Sequence, residues 1–233
     1  AVSTNYWFGA TSGGDWMTAS NWKSDPEGTK APVAFTTACV YNLSRLENGA
    51  KISYTGTTLQ LAGIVTGENQ GTITLQGNGT SQFGGFATTT QIYVGNGTTL
   101  DFAFRHPNDW GSARTFRVRG GGELSMRPYS EFVLYNGTFD VGDTITLTIA
   151  NANFKGTYSE FVLSGSAKLQ LKDNFTAAHL RSSVTTTSVD LGGKTLTLTG
   201  GEYTWDSVSY ALKSSIIGTS GRIANAGGIE IGL

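Results

Sequence analysis

The chain has 233 residues, and charged side chains make up only 14% of it, against about 25% in an average soluble domain. Glycine supplies 32 positions and threonine 33, while 16 basic and 17 acidic residues nearly cancel. A helical bundle is excluded, because it draws on alanine, leucine, glutamate and lysine. A collagen is excluded by the lack of glycine at every third position, and disorder by 38% hydrophobic and 11% aromatic residues. What remains is an all-β protein whose polar face is built from threonine, serine and asparagine.

The first 58 residues have their own texture, and we read 1–58 as an N-terminal arm and capping segment ahead of a body over 59–233. Ala1-Val2-Ser3 reads as the terminus left when an export signal is removed. Tyr6-Trp7-Phe8, Gly13-Gly14-Asp15-Trp16 and Ser20-Asn21-Trp22 follow, placing three of the five tryptophans within 16 residues. A short helix is expected over Trp16 to Trp22. The aromatics suit a cap, because the first coil of a repeat array would otherwise expose apolar side chains and unpaired backbone. The alternative gives Trp22 a role in sugar stacking. Cys39, in Ala38-Cys39-Val40-Tyr41, reads as a small core residue, and a single cysteine leaves no internal disulfide.

From Thr58 onward short runs place apolar residues at every second position. They include Leu59-Gln60-Leu61, Thr72-Ile73-Thr74-Leu75, Gln91-Ile92-Tyr93-Val94, Leu100 to Phe104, Phe116-Arg117-Val118 and Glu123 to Met126. Thr144 to Ile149, Lys168 to Leu171, Val189 to Leu191 and Leu196 to Leu198 complete the series. This is the signature of strands with one buried face. Gly95-Asn96-Gly97, Gly120-Gly121-Gly122, Asn136-Gly137 and Gly192-Gly193 separate them and supply corners. One further short helix is expected at Thr176 to Ser182, led by Asn174.

The hexapeptide Tyr129 to Leu134 recurs identically at Tyr158 to Leu163, 29 residues later. A recurring strand–corner–strand phrase with a period of 20–50 residues points to a solenoid. Asn-Gly between alternating runs is also a hairpin signal. An antiparallel β-sandwich or jelly roll therefore stands as the alternative to a parallel β-helix.

The tryptophan-rich opening over residues 6–22, together with Asp190-Leu191-Gly192-Gly193-Lys194-Thr195-Leu196-Thr197-Leu198-Thr199-Gly200-Gly201, resembles secreted bacterial surface proteins built from autotransporter-associated β-strand repeats. The resemblance implies a right-handed parallel β-helix in its mature form after signal-peptide removal, extracellular or displayed on a bacterial surface. With that fold and location we expect a non-catalytic structural or adhesive role.

The residues themselves point the same way. A glycoside hydrolase needs two carboxylates across the scissile bond. Asp140 and Asp143 are close in sequence, but no Asp-x-Asp-x-Asp calcium loop surrounds them. Glu131 and Glu160 hold equivalent places in the repeat and could stack as a ladder. Neither a Ser/His/Asp arrangement nor a zinc spacing nor a phosphate loop is visible, so no catalytic residue, metal or cofactor is expected.

Arg114, Arg117 and Arg119 are the nearest thing to a basic stripe and read as a solvated strand face. Nucleic acid is not an expected partner, and no apolar run is long enough for membrane insertion. The expected partner is the chain itself, head to tail, through Tyr6, Trp7 and Phe8 at one end and Ile229 and Ile231 at the other. The alternative is a glycan-binding module, with Trp110, Trp22 and His106 as contact residues. A polysaccharide lyase is the third reading.

Overall fold

A computed structural model describes residues 1–78, 82–84, 89–105, 114–200, 212, 214–217 and 220–225. The regular elements of the described residues are all β-strands, apart from one 3-10 turn at Ala19–Asn21. The strands alternate between two sheets as the chain advances and, apart from Trp22–Lys23, pair in parallel with the strand a rung earlier. This is a parallel β-solenoid.

Side one stacks Thr4–Trp7, Cys39–Asn42, Thr58–Val65, Thr89–Val94, Arg114–Gly120, Gly137–Val141, Phe154–Leu163 and Phe175–Ser182 in that order. Side two stacks Gly13–Asp15, Lys51–Tyr54, Gly71–Gly77, Thr98–Ala103, Glu123–Met126, Thr146–Ile149, Lys168–Leu171, Ser188–Asp190 and Ser215–Ile217. Off these two stacks, Thr58–Gln60 pairs with Gln82–Gly84, and a partial third side continues with Phe132–Val133 on the start of Phe154–Leu163. The start of Phe175–Ser182 follows, then Thr195–Leu198 and Arg222–Asn225. The longest strands therefore turn a corner. The register of Phe154–Leu163 slips between Gly156 and Glu160 where it does so.

Alternation puts one set of side chains inside. Along side two, Ile73, Leu100, Leu124, Leu147, Leu169 and Val189 are in register on successive rungs, and all are buried. Along side one, Phe116 stacks on Phe139 at 5.3 Å, and Phe139 on Phe161 at 4.8 Å. One core cluster runs from Trp7 to Leu198, so residues before 58 contribute rungs of their own as well as a cap.

Three sequence expectations change. Phe175–Ser182 is a strand, not a helix. It rounds a corner, which buries Ala177, Ala178, His179 and Leu180 in succession, and an apolar spacing that imitates a helical face is the result. The segment from Trp16 to Trp22 holds only the one 3-10 turn. The repeated hexapeptides do not occupy equivalent places. Phe132 pairs with Phe154, while Phe161 pairs with Phe139, 22 positions earlier (161 − 139), not 29.

Candidate functional site

The N-terminal aromatics assemble inside the first rungs. Trp7, Trp16, Trp22 and Tyr41 are completely buried. Trp22 has Trp7, Trp16 and Tyr41 all at 5.0 Å between ring centroids. Its indole N–H donates to the Trp16 carbonyl at 2.7 Å, and that of Trp7 to the Ala10 carbonyl at 2.8 Å. Trp22 therefore has no open ring face for a sugar. It belongs to the core.

The same segment closes one end of side one. Trp22–Lys23 pairs antiparallel with Tyr6 and Trp7, and the Phe8 N–H donates to the Asn21 carbonyl at 2.7 Å. The strand Thr4–Trp7 has Cys39–Asn42 as a parallel neighbour on its other side through Thr4, Asn5 and Tyr6, so Tyr6 is paired on both sides. The Arg45 guanidinium covers the Phe8 ring at 3.8 Å. His106, Trp110, Ile229 and Ile231 lie outside the described residues.

Cys39 is buried, and the Asn5 amide approaches its Sγ at 3.5 Å. Burial pushes the Cys39 thiol and the Tyr41 hydroxyl above their ordinary ranges. Neither group is poised as a nucleophile.

Several charged side chains of the outer faces bond from rung to rung. Arg117 and Arg119 both reach Asp140, at 3.3 and 3.0 Å, while Arg114 falls on the opposite parity of its strand. Asp143 accepts the Gly120 N–H at 3.0 Å, so Asp140 and Asp143 serve different partners. Glu160 pairs with Arg181 and has Thr138 and His179 as its rung neighbours. Glu131 is exposed outside the strands, so there is no Glu131–Glu160 ladder. On side two, Asp101 accepts from Arg127 at 2.8 and 3.0 Å and from Thr74 at 3.2 Å. Glu123 accepts from Thr148 at 2.7 Å. Among the described residues, no group of three or more His, Cys, Asp or Glu side chains is placed to hold a metal ion.

One place on side one breaks this pattern. Cys39 faces Leu61, but Val40 faces Gly63, which leaves Ala62 as an extra residue. Such a bulge locally bends the strand. Gly63 then sits between Val40 and Gln91 with no side chain. A Cβ there would lie 2.6 Å from the Gln91 carbonyl oxygen and 3.3 Å from Val40 Cγ2. At this bulge lies an open groove of about 240 Å³ lined by Val2, Val40, Ala62, Val65, Thr89, Gln91 and Tyr93.

Comparison with known protein families, with curated proteins and with solved structures finds no match for this chain.

The site thus rests on its own geometry. Its lining combines apolar Val40, Ala62 and Val65 with Tyr93, which is 43% exposed, and with the polar residues Gln91 and Thr89. That arrangement can bind, but it contains no acid–base pair. The sequence held two signals for it. Gly63 interrupts an otherwise apolar strand, which is the mark of a bulge, and Tyr93 is an aromatic on the outward parity of Gln91-Ile92-Tyr93-Val94.

Proposed function

We propose that this chain is a non-catalytic, extracellular structural and adhesive protein of a bacterial surface. The observation that carries the reading is the use made of the outer charges. Asp101, Glu123, Asp140 and Glu160 are each bound by side chains of adjacent rungs, which braces the solenoid along its axis. A catalytic pair would instead converge on a shared open space. The bacterial surface location is carried by the resemblance at residues 6–22 and 190–201.

Self-association is assigned to the ends of the rod. Among the described residues, Gly13–Asp15 is the first strand of side two, with nothing paired outside it. Strand addition at that edge fits head-to-tail contact better than the closed Tyr6–Phe8 run does.

Incubation with neutral and uronate polysaccharides is expected to release neither reducing ends nor unsaturated products. Fractionation of the source cells is expected to recover the chain with the surface or the medium. Product release would overturn the non-catalytic reading, and recovery in the cytosol would overturn the surface reading. Light scattering that shows only monomer at every concentration would overturn the end-to-end contact.

A further inference from the structure

We propose that the groove around Gly63 and Tyr93 binds the face of a single pyranose ring of a glycan. This rests on the adhesive reading and deepens it, because adhesion requires a ligand. A pyranose presents C–H groups on its faces and hydroxyls around its edge. The groove's lining offers partners for both: apolar Val40, Ala62 and Val65, the aromatic Tyr93, and Gln91 and Thr89 with their polar groups.

The groove lies where the strand register is interrupted. The bulge at Ala62 and the bare Gly63 remove one side chain from a row that otherwise continues, rung by rung, through Gln91, Arg117 and Asp140. Val2, 58% exposed, stands at one end. On the rung beyond, Arg117 faces Gln91 and Arg119 faces Tyr93, and Asp140 on the next rung holds both guanidinium groups.

Size separates a sugar from a protein partner. Seven residues line the groove, whereas a stable protein interface uses about 20–30 residues a side. Its floor is the outer face of a sheet whose strands are paired on both sides here, so no edge is available for strand addition. A volume of about 240 Å³ lies just below the roughly 300–1,000 Å³ of drug-sized pockets, which suits one ring.

The test is saturation-transfer NMR on the full chain with the methyl glycosides of glucose, galactose, mannose, xylose and glucuronic acid. At least one is expected to bind with a roughly millimolar Kd, the range for a ligand that buries one ring face. Tyr93 is a surface residue, so Tyr93→Ala and Tyr93→Phe both leave the core intact. Tyr93→Ala is expected to weaken binding by about tenfold or more, since it removes the aromatic ring. Tyr93→Phe, which keeps the ring, should stay within about threefold. The proposal is overturned if no glycoside shows transfer, if Tyr93→Ala binds like the parent, or if Tyr93→Phe is as weak as Tyr93→Ala.

Discussion

Phe139 and Phe161 lie flat on one another inside side one, their ring centroids 4.8 Å apart and their planes 3° from parallel. Each is fully buried, and Phe139 also meets Phe116 and Phe154. Removing its ring leaves a cavity that the rungs above and below cannot close, because both are fixed by backbone ladders. Phe139→Ala is expected to cost about 3–5 kcal/mol of unfolding free energy. In a double-mutant cycle with Phe161→Ala, the pair is expected to show a coupling of about 0.5–1.5 kcal/mol. Urea denaturation of the four proteins measures both quantities.

Two glycines of positive φ provide a matched pair for the backbone. Gly120 has φ +108, and a Cβ there would sit 2.0 Å from the Val94 carbonyl oxygen of the rung below. Gly49 has φ +83, with nothing within 4 Å of its Cβ position. Alanine at Gly49 meets only the left-handed backbone penalty of about 1–2 kcal/mol. Alanine at Gly120 adds a backbone collision, so its loss is expected to be larger by at least about 1 kcal/mol. Equal denaturation midpoints for Gly49→Ala and Gly120→Ala would contradict this account.

The alternating runs were legible because a two-residue period survives wherever a strand has one wet face, as in Gly71–Gly77 or Lys168–Leu171. Corners hid the rest. Phe175–Ser182 buries consecutive residues as it turns, so its period no longer reports a strand. The duplicated hexapeptide suggested a 29-residue period, but stacking is decided by which ring fits over which. Phe161 chose Phe139 rather than its sequence twin Phe132, which instead meets Phe154. The groove depends on which rung faces Gly63, a relation between strands far apart in the chain that no local pattern records.

The loop after the first rungs carries a pH dependence of defined sign. The Asp25 carboxylate accepts the Thr29 hydroxyl at 2.6 Å and the Lys30 N–H at 2.7 Å. The Thr29 hydroxyl holds the carboxyl down at about 2, with the Lys30 and Thr29 backbone N–H groups assisting against the opposing effect of desolvation. An unfolded Asp titrates near about 3.9. A depressed folded value gives stability that is fully present above the unfolded pKa and is lost as pH falls through the folded one. Thermal melting between roughly pH 5 and pH 2 is therefore expected to show a decline in the parent that is smaller in Asp25→Asn. An NMR titration of the Asp25 side chain reads the same pKa directly.

Trp22 joins stability to association. Its ring packs against three aromatics, and its strand covers the outer side of Thr4–Trp7. Trp22→Ala is expected to lower stability by about 3–5 kcal/mol. It also loosens the only strand outside Tyr6 and Trp7 among the described residues, and an uncovered edge with unpaired N–H and C=O groups recruits another strand. At equal concentration the variant should therefore show a higher mass by light scattering than the parent. Trp22→Phe keeps an aromatic ring at this position and should lie between them. A Trp22→Ala protein that is destabilised yet scatters like the parent would mean that Trp22–Lys23 fills the core without guarding the edge.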